Sequence, residues 1–435
     1  MSSDVQRPAV VITGLPWLRT GSGKVMEEQV AFFKSIGWIV FFVACPYAAK
    51  QTLSDPVWDQ FKQQSADLNA DAIAIASFER PVRRRGLFGN LAARWKKLNA
   101  LNWRMSLSEK VVLTDELRED LRAADVRLIL ANHIYTLELA KRIKDEVAKR
   151  NVPLCVVTHD VQSHILSDNS VVNPFTKRAD RLEDLEDTEV RALSVAQYLI
   201  HVSHDDLGFF QRRLPAVRQI AIVPCAPDQT DLGIDRSREK RVDFLFVGSN
   251  HIANSEAVEW LLEEVYPNFN EPKPSLRIAG KVDRLVEAKR PDLFNRYRRF
   301  FAGEVGGVID EYLSARCILV PMISGRGVSI KTVEATSVGL PMVGTAAAFR
   351  GLPNEAVRNS GLSAYSSAGE FARAAQEALE NPEPLREASI RLYRALFSRD
   401  AFANSMIGVL NDLDLDGSMR IEFEAKRMSA ATPPA

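Results

Sequence analysis

DEYLSARCILVPMISGRGVSIKTVEATSVGLPMVGTAAAFRGL, residues 310–352, is the stretch whose reading decides the fold. Its apolar run Cys317 to Met322 reads as a buried strand. The short loop Ile323-Ser324-Gly325-Arg326-Gly327 follows, then a helix expected from about Val328 to Val338, and after Gly339 a second apolar run, Pro341 to Val343. A strand, glycine loop, helix and strand of this kind places free backbone N–H groups and the positive end of a helix dipole at the carboxyl edge of a parallel sheet, where diphosphates bind. A glycine in a βα loop is common, so the loop alone is equally a plain turn. Glu334 adds the specific signal. It falls in the first two turns of the helix, where Ile330 and Val333 face the sheet and the carboxylate points toward the loop, placed to accept the two hydroxyls of a ribose.

The same kind of unit recurs along the chain. Short apolar runs alternate with amphipathic stretches, the signature of a doubly wound α/β sheet. Strands are expected near Val10–Thr13, Ile39–Val43, Ala72–Ala76, Arg127–Ala131, Leu154–Thr158, Tyr198–Val202 and Ile220–Val223. After the charged, turn-rich stretch Asp228 to Arg241, a second series is expected at Asp243–Val247, Leu276–Ala279, Phe300–Val305, Cys317–Met322, Pro341–Gly344 and Ser363–Tyr365. The natural division is residues 1–227 and 228–394, with a helix at about 395–415 returning to the first domain and a disordered tail at 427–435.

Composition sets the outer limits. The 435 residues are 46% hydrophobic and 26% charged, enough for two domains with sizeable cores. Lys plus Arg and Asp plus Glu number 56 each, so no global field points to nucleic acid as a partner. The four cysteines, Cys45, Cys155, Cys225 and Cys317, are widely spaced, and three sit in or beside apolar runs, as expected of small buried side chains in a reducing compartment. Neither an export signal nor a membrane span is expected, which makes the expected location cytoplasmic.

GRGVSIKTVEATSVGLPMVGT closely resembles the donor-binding segment of family-4 glycosyltransferases, the group 1 glycosyl transferases, which retain anomeric configuration. The resemblance implies the GT-B fold: two facing Rossmann-like domains with a cleft between them. It implies a nucleotide-diphosphate sugar as co-substrate, no further cofactor, no metal, and a glycan, lipid-linked or small-molecule acceptor. In this reading the donor is held by Ser324, Gly325, Arg326, Gly327, Val328, Ser329, Lys331 and Glu334. Many members carry a second Glu eight places before the ribose-binding one; here that place is Arg326. The segment Asp243 to Pro267 resembles the opening of the donor domain, with Gly248 and Ser249 at its turn, but Asn250 and His251 stand where some members carry an Arg and a Lys. RIAGKV and FAGEV resemble the strands beside the nucleotide base, with Val305 as a backbone contact.

In the first half, LCVVTHD (Leu154 to Asp160) reads as a strand ending in His159-Asp160 at the carboxyl edge. With the later AQYLIHVSHDD it resembles the family's acceptor domain, whose histidine at this place touches the donor sugar. His159 and Asp160 are therefore the expected catalytic pair. The loop after the first strand fails as a P-loop, because Leu18 and Val25 occupy the places of its first glycine and its Ser or Thr. By resemblance its Gly21, Ser22 and Gly23 approach the donor sugar or the acceptor; a simple turn is the other reading. His201 and His204 have metal-like spacing, but Ser203 and Asp206 read as a capping box. Asp412, Asp414, Asp416 and Gly417 imitate a calcium loop that lacks its closing Glu, since Phe423 stands there.

From Arg80 to Ser108 eight basic residues and no acidic one alternate with bulky apolar residues. The pattern suits adsorption to an anionic membrane surface on the cytoplasmic face, and suits equally a solvated helix face. Two rival functions remain at this level: a GT-B sugar-nucleotide epimerase, and a catalytically silent GT-B binding protein.

Overall fold

The structure is a computed structural model that describes residues 6–18, 20–47, 55–76, 78, 99–147, 151–226 and 240–415. Of the basic segment Arg80–Ser108 only Asn99 to Ser108 is described, and of the stretch Asp228–Arg241 only its last two residues. Asp416, Gly417 and residues 427–435 also lie outside the described residues.

All thirteen expected strands form, within a few residues of the expected bounds. In the first sheet they are β1 (Pro8–Gly14), β2 (Ile39–Ala44), β3 (Ala72–Ile75), β4 (Asp125–Asn132), β5 (Leu154–Thr158), β6 (Tyr198–His201) and β7 (Arg218–Ala221). In the second they are β8 (Val242–Val247), β9 (Leu276–Ala279), β10 (Phe301–Gly303), β11 (Ala315–Val320), β12 (Met342–Thr345) and β13 (Ala364–Tyr365). β11 stops at Val320, two residues before the expected end, because Pro321 has no N–H to give a ladder.

The sheet orders are β3-β2-β1-β4-β5-β6-β7 and β10-β9-β8-β11-β12-β13, with parallel neighbours throughout. In each sheet the chain steps outward from its first strand, then returns and continues on the other side. The reversals lie between β1 and β4 and between β8 and β11, and at such a switch point the loops leaving the two strands part and open a crevice beyond their carboxyl ends.

The described residues fall into two compact units. One holds those up to Val202, Asp206–Ile222 and those from Ser405 on; the other holds Ser203–Asp205 and Val223–Asn404. The last helix, Arg399–Asp412, therefore begins in the second unit and ends in the first. There Asp412 accepts from the Tyr198 hydroxyl at 2.9 Å, and its carbonyl accepts from Arg218. Asp412 thus belongs to a structural contact.

Each unit has its own apolar core, the first around Val11, Ile129 and Val156 and the second around Phe244, Ile318 and Val343. All four cysteines are buried and free. Leu101 is fully buried and Trp103 is partly buried against the first core, so both of these residues of the basic segment contribute to packing.

The helix after β1 spans Gly21–Ser35, with the Thr20 hydroxyl accepting from the Gly23 amide at 3.3 Å. Gly21, Ser22 and Gly23, expected in a loop, are thus its first turn. Gly23 is buried so close to the preceding loop that a Cβ there would lie 1.9 Å from the Leu18 carbonyl oxygen, which is the physical reason for a glycine at this place.

Candidate functional site

At the switch point of the second sheet, the loop after β8 meets the loop after β11. Gly248 is buried where the ends of β8 and β9 close on each other: its amide donates to Ala279, its carbonyl accepts from Val282, and a Cβ would lie 2.9 Å from the Phe246 ring. Its place is set by packing. Ser249 is exposed, and its carbonyl and hydroxyl oxygens accept from the Asn254 side-chain amide at 2.8 and 3.1 Å. Asn254, on the helix Ile252–Trp260, is nearly buried, and its own Oδ1 accepts from the Lys331 ammonium at 2.7 Å. One carboxamide so joins the two loops.

The loop after β11 turns on two glycines of left-handed backbone, Gly325 (φ 132°) and Gly327 (φ 61°). The helix begins at Ile330, two residues later than expected, and runs to Ser337. Ser329 stands at its N-cap without making a side-chain cap bond, and among the described residues its buried hydroxyl has no hydrogen-bond partner. Ser324 donates to Glu256, Arg326 is exposed, and Val328 is half-buried. Val305, beyond β10, packs on the core.

Glu334 is half-buried in the second turn, where it accepts from the Tyr312 hydroxyl at 3.0 Å. Tyr312 is fully buried, and that burial together with the neighbouring carboxylate raises its pKa well above the usual range, so it remains a proton donor. Arg350 lies against Gly325, where a Cβ would be 2.8 Å from its guanidinium carbon; it donates to the Ala347 carbonyl at 2.7 Å and to that of Arg326 at 3.3 Å. Asn254, Tyr312 and Arg350 were not singled out from the sequence. All three are ordinary polar residues on other elements, brought to the loop only by the fold.

Lys331 has its pKa pulled down to about 8, first by burial and then by the Arg350 charge, against the raising effect of Glu334. Its charge is therefore half lost near pH 8, and above that pH it no longer attracts an anion. We expect affinity for a diphosphate to fall from pH 7 to pH 9 in the parent protein and to be flatter in Lys331→Met, as read by calorimetric titration. Equal pH dependence in the two proteins would exclude Lys331 from the anion site.

At the switch point of the first sheet, His159 follows β5 at the carboxyl edge, as expected, but its ring does not stand free. It is 5% exposed, stacked on His133 at 4.0 Å between centroids, with Nε2 2.9 Å from Asn132 Oδ1. Burial lowers its pKa to about 3, so the ring is neutral at physiological pH. Where the strand-end position leads one to expect a ring projecting from the carboxyl edge toward the expected cleft, the structure instead buries it, stacked on His133. Asp160 is half-buried at the start of the turn into the helix Gln162–Asp168.

His133 was missed in the sequence, although it follows β4 immediately. It adopts φ 65°, strained for a residue with a side chain, with Trp17 edge-on at 5.5 Å. His201 is a structural residue, its ring nitrogens paired with Thr158 at 2.7 Å and Gln219 at 3.0 Å.

Comparison with known proteins bears on the second of these sheets. Residues 241–381 match the family described as glycosyl transferases group 1. That span contains the whole second-sheet site from Gly248 to Arg350. Comparison of the chain with curated protein sequences finds no match.

Among solved structures, Anabaena Alr3699/HepE in complex with UDP resembles the chain with a TM-score of 0.56 at 11% identity, over 93% of this chain and 100% of that one. TarM gives 0.55 at 8% identity over 94% and 99%. An alpha-glucosyltransferase in complex with UDP and a mismatched DNA gives 0.51 at 10% identity over 93% and 99%. At these identities the likeness is one of fold, and the fold is GT-B: two Rossmann-like α/β domains, each with a parallel sheet.

Proposed function

We propose that the chain is a glycosyltransferase that takes its sugar from a nucleotide-diphosphate donor held at the carboxyl edge of the second sheet. One observation carries this reading. A glycine loop opens a helix whose N-cap hydroxyl is unpartnered, two cationic side chains stand beside the loop, and a tyrosine-held carboxylate lies one turn along. Loop amides, Lys331 and Arg350 match a diphosphate, and Glu334 matches the hydroxyls of a ribose. The group 1 match over this span supports the reading, and the UDP in two of the neighbouring structures makes uridine diphosphate sugars the first donors to test.

In this reading the anomeric configuration is retained, the transferred group is a hexosyl, and neither metal nor cofactor takes part. The acceptor hydroxyl oxygen bonds to the anomeric carbon as the bond from that carbon to the diphosphate oxygen breaks. The hydroxyl proton passes to the departing diphosphate, whose growing negative charge is stabilised by the loop amides and the helix N-terminus. His159 and Asp160 belong to the sugar and acceptor side of the reaction, and the turn Gly21, Ser22 and Gly23 to the same side. The acceptor is a glycan, a lipid-linked glycan or a small molecule.

The test is incubation with a panel of nucleotide sugars, with and without candidate acceptors, scoring release of nucleoside diphosphate. No release from any donor, in protein that binds the diphosphate, would leave a binding protein.

A cytoplasmic protein with an adhesive basic segment fits a lipid-linked acceptor. Among the described residues no helix is long and apolar enough to cross a membrane, so contact would be peripheral. Replacing Arg83, Arg84 and Arg85 with Ser is expected to weaken binding to phosphatidylserine vesicles and reduce its salt sensitivity. No vesicle binding by the parent protein would end the membrane reading.

A further inference from the structure

Three polar side chains meet in the interior at the switch point of the first sheet, each from a different element. Gln29 comes from the helix Gly21–Ser35, Asn132 is the last residue of β4, and His159 follows β5; they are 2%, 0% and 5% exposed. Gln29 and Asn132 form a reciprocal amide pair. Asn132 Nδ2 donates to Gln29 Oε1 at 2.8 Å, and Gln29 Nε2 donates to Asn132 Oδ1 at 3.2 Å.

That pair holds the Asn132 carboxamide in place beside the histidine. The end that faces the ring is the oxygen, 2.9 Å from His159 Nε2. An amide oxygen only accepts, so the proton of the neutral imidazole must sit on Nε2, and the lone pair must sit on Nδ1. Among the described residues no group hydrogen-bonds His159 Nδ1. The stacked His133 ring, 18° from parallel, closes one face of the imidazole to water and holds its plane.

We infer that Gln29 and Asn132 are positioning residues that lock His159 in its Nε2–H tautomer, so that it meets a substrate through Nδ1 as a hydrogen-bond acceptor for a hydroxyl. The inference rests on the proposed transferase function for its substrate but not for its tautomer. It gives His159 a defined role. The residue orients a sugar or acceptor hydroxyl by taking its hydrogen bond, and neither donates a proton nor carries a positive charge. A group so fixed loses no orientational freedom when the hydroxyl arrives.

Long-range proton–nitrogen NMR of the full chain near neutral pH reads the tautomer directly. The parent protein is expected to show His159 with a protonated Nε2 and an unprotonated Nδ1. Asn132→Leu removes the accepting oxygen and should give a mixture of tautomers, whereas Asn132→Asp keeps an acceptor and should keep the parent pattern. Gln29→Leu frees the Asn132 amide to turn and should give the mixed pattern in smaller measure, which serves where Asn132→Leu fails to fold.

In transfer assays the Leu variants should lower kcat roughly tenfold or more with donor KM unchanged, and Asn132→Asp should restore part of the loss. An Nδ1–H or doubly protonated His159 in the parent, or an unchanged tautomer in both Leu variants, would overturn the inference. The expected tautomers in a protein that transfers no sugar would instead overturn the proposed function and leave the tautomer lock standing.

Discussion

Glu334→Gln is expected to weaken nucleoside diphosphate binding by about 1.5 to 3 kcal/mol, roughly 10- to 150-fold in Kd, while leaving the fold intact. The magnitude is that of a hydrogen bond to a charged group, and the geometry favours the full value. The carboxylate is half-buried on a helix fixed by packing, and a fully buried tyrosine hydroxyl holds one of its oxygens at 3.0 Å. Orientation is therefore settled before the ligand arrives, and little of the interaction is spent on ordering the side chain. Glutamine keeps the length and can still accept from Tyr312 through its oxygen. It then offers an N–H where a ribose hydroxyl needs an acceptor, and it carries no charge. Tyr312→Phe keeps the charge and loses only the orientation, so its effect should be smaller. Calorimetric titration with uridine diphosphate reads both, and an unchanged Kd for a folded Glu334→Gln protein would remove this carboxylate from the site.

How far the sequence was legible differs between the switch points of the two sheets. The second-sheet loop lies within one contiguous stretch, so strand, glycines, helix and carboxylate could all be read together. Even there the fold changes details: Pro321 ends the strand early, the helix begins at Ile330, and Gly248 is held by packing against β9. Asn254, Tyr312 and Arg350 were illegible, because nothing local marks a polar residue that will be carried 20 to 80 positions across the chain to its partner.

The first sheet shows the same limit more strongly. The strand before His159 was plain from its apolar run, but its burial was not. Burial depends on Gln29, Asn132 and His133, which lie on two other elements that the parallel topology brings alongside. The one local signal was ANHIYT, a polar pair directly after an apolar strand, the same pattern that marked His159 itself. The basic segment was read as a surface, and at its described end the fold takes Leu101 and Trp103 inward, because a helix beside the sheet buries whichever apolar residues face the core.

His159→Ala should then lower transfer by roughly 10²-fold or more while changing nucleoside diphosphate affinity little. The scale is that of losing one pre-oriented hydrogen bond at a reacting centre. The proposed nucleotide-binding residues Glu334, Lys331 and Arg350 lie in the second unit, and His159 lies in the first. The alanine variant also loses stability, because the Asn132 oxygen keeps only its bond from Gln29 and His133 loses the ring stacked on it. His159→Gln separates the two effects: its amide nitrogen can donate to Asn132 as Nε2–H does, and its oxygen can accept from a hydroxyl as Nδ1 does. We expect it to recover stability and part of the transfer rate. The pKa of about 3 adds a further check. Because the folded value lies below the ordinary histidine value of about 6.5, the neutral ring contributes stability above pH 6.5, and that contribution is lost as pH falls from there toward 3. The parent should therefore lose more stability than His159→Gln over that interval, and its transfer rate should show no histidine titration between pH 5 and 8. Parent-like turnover in a folded His159→Ala protein would show that this ring has no part in the reaction.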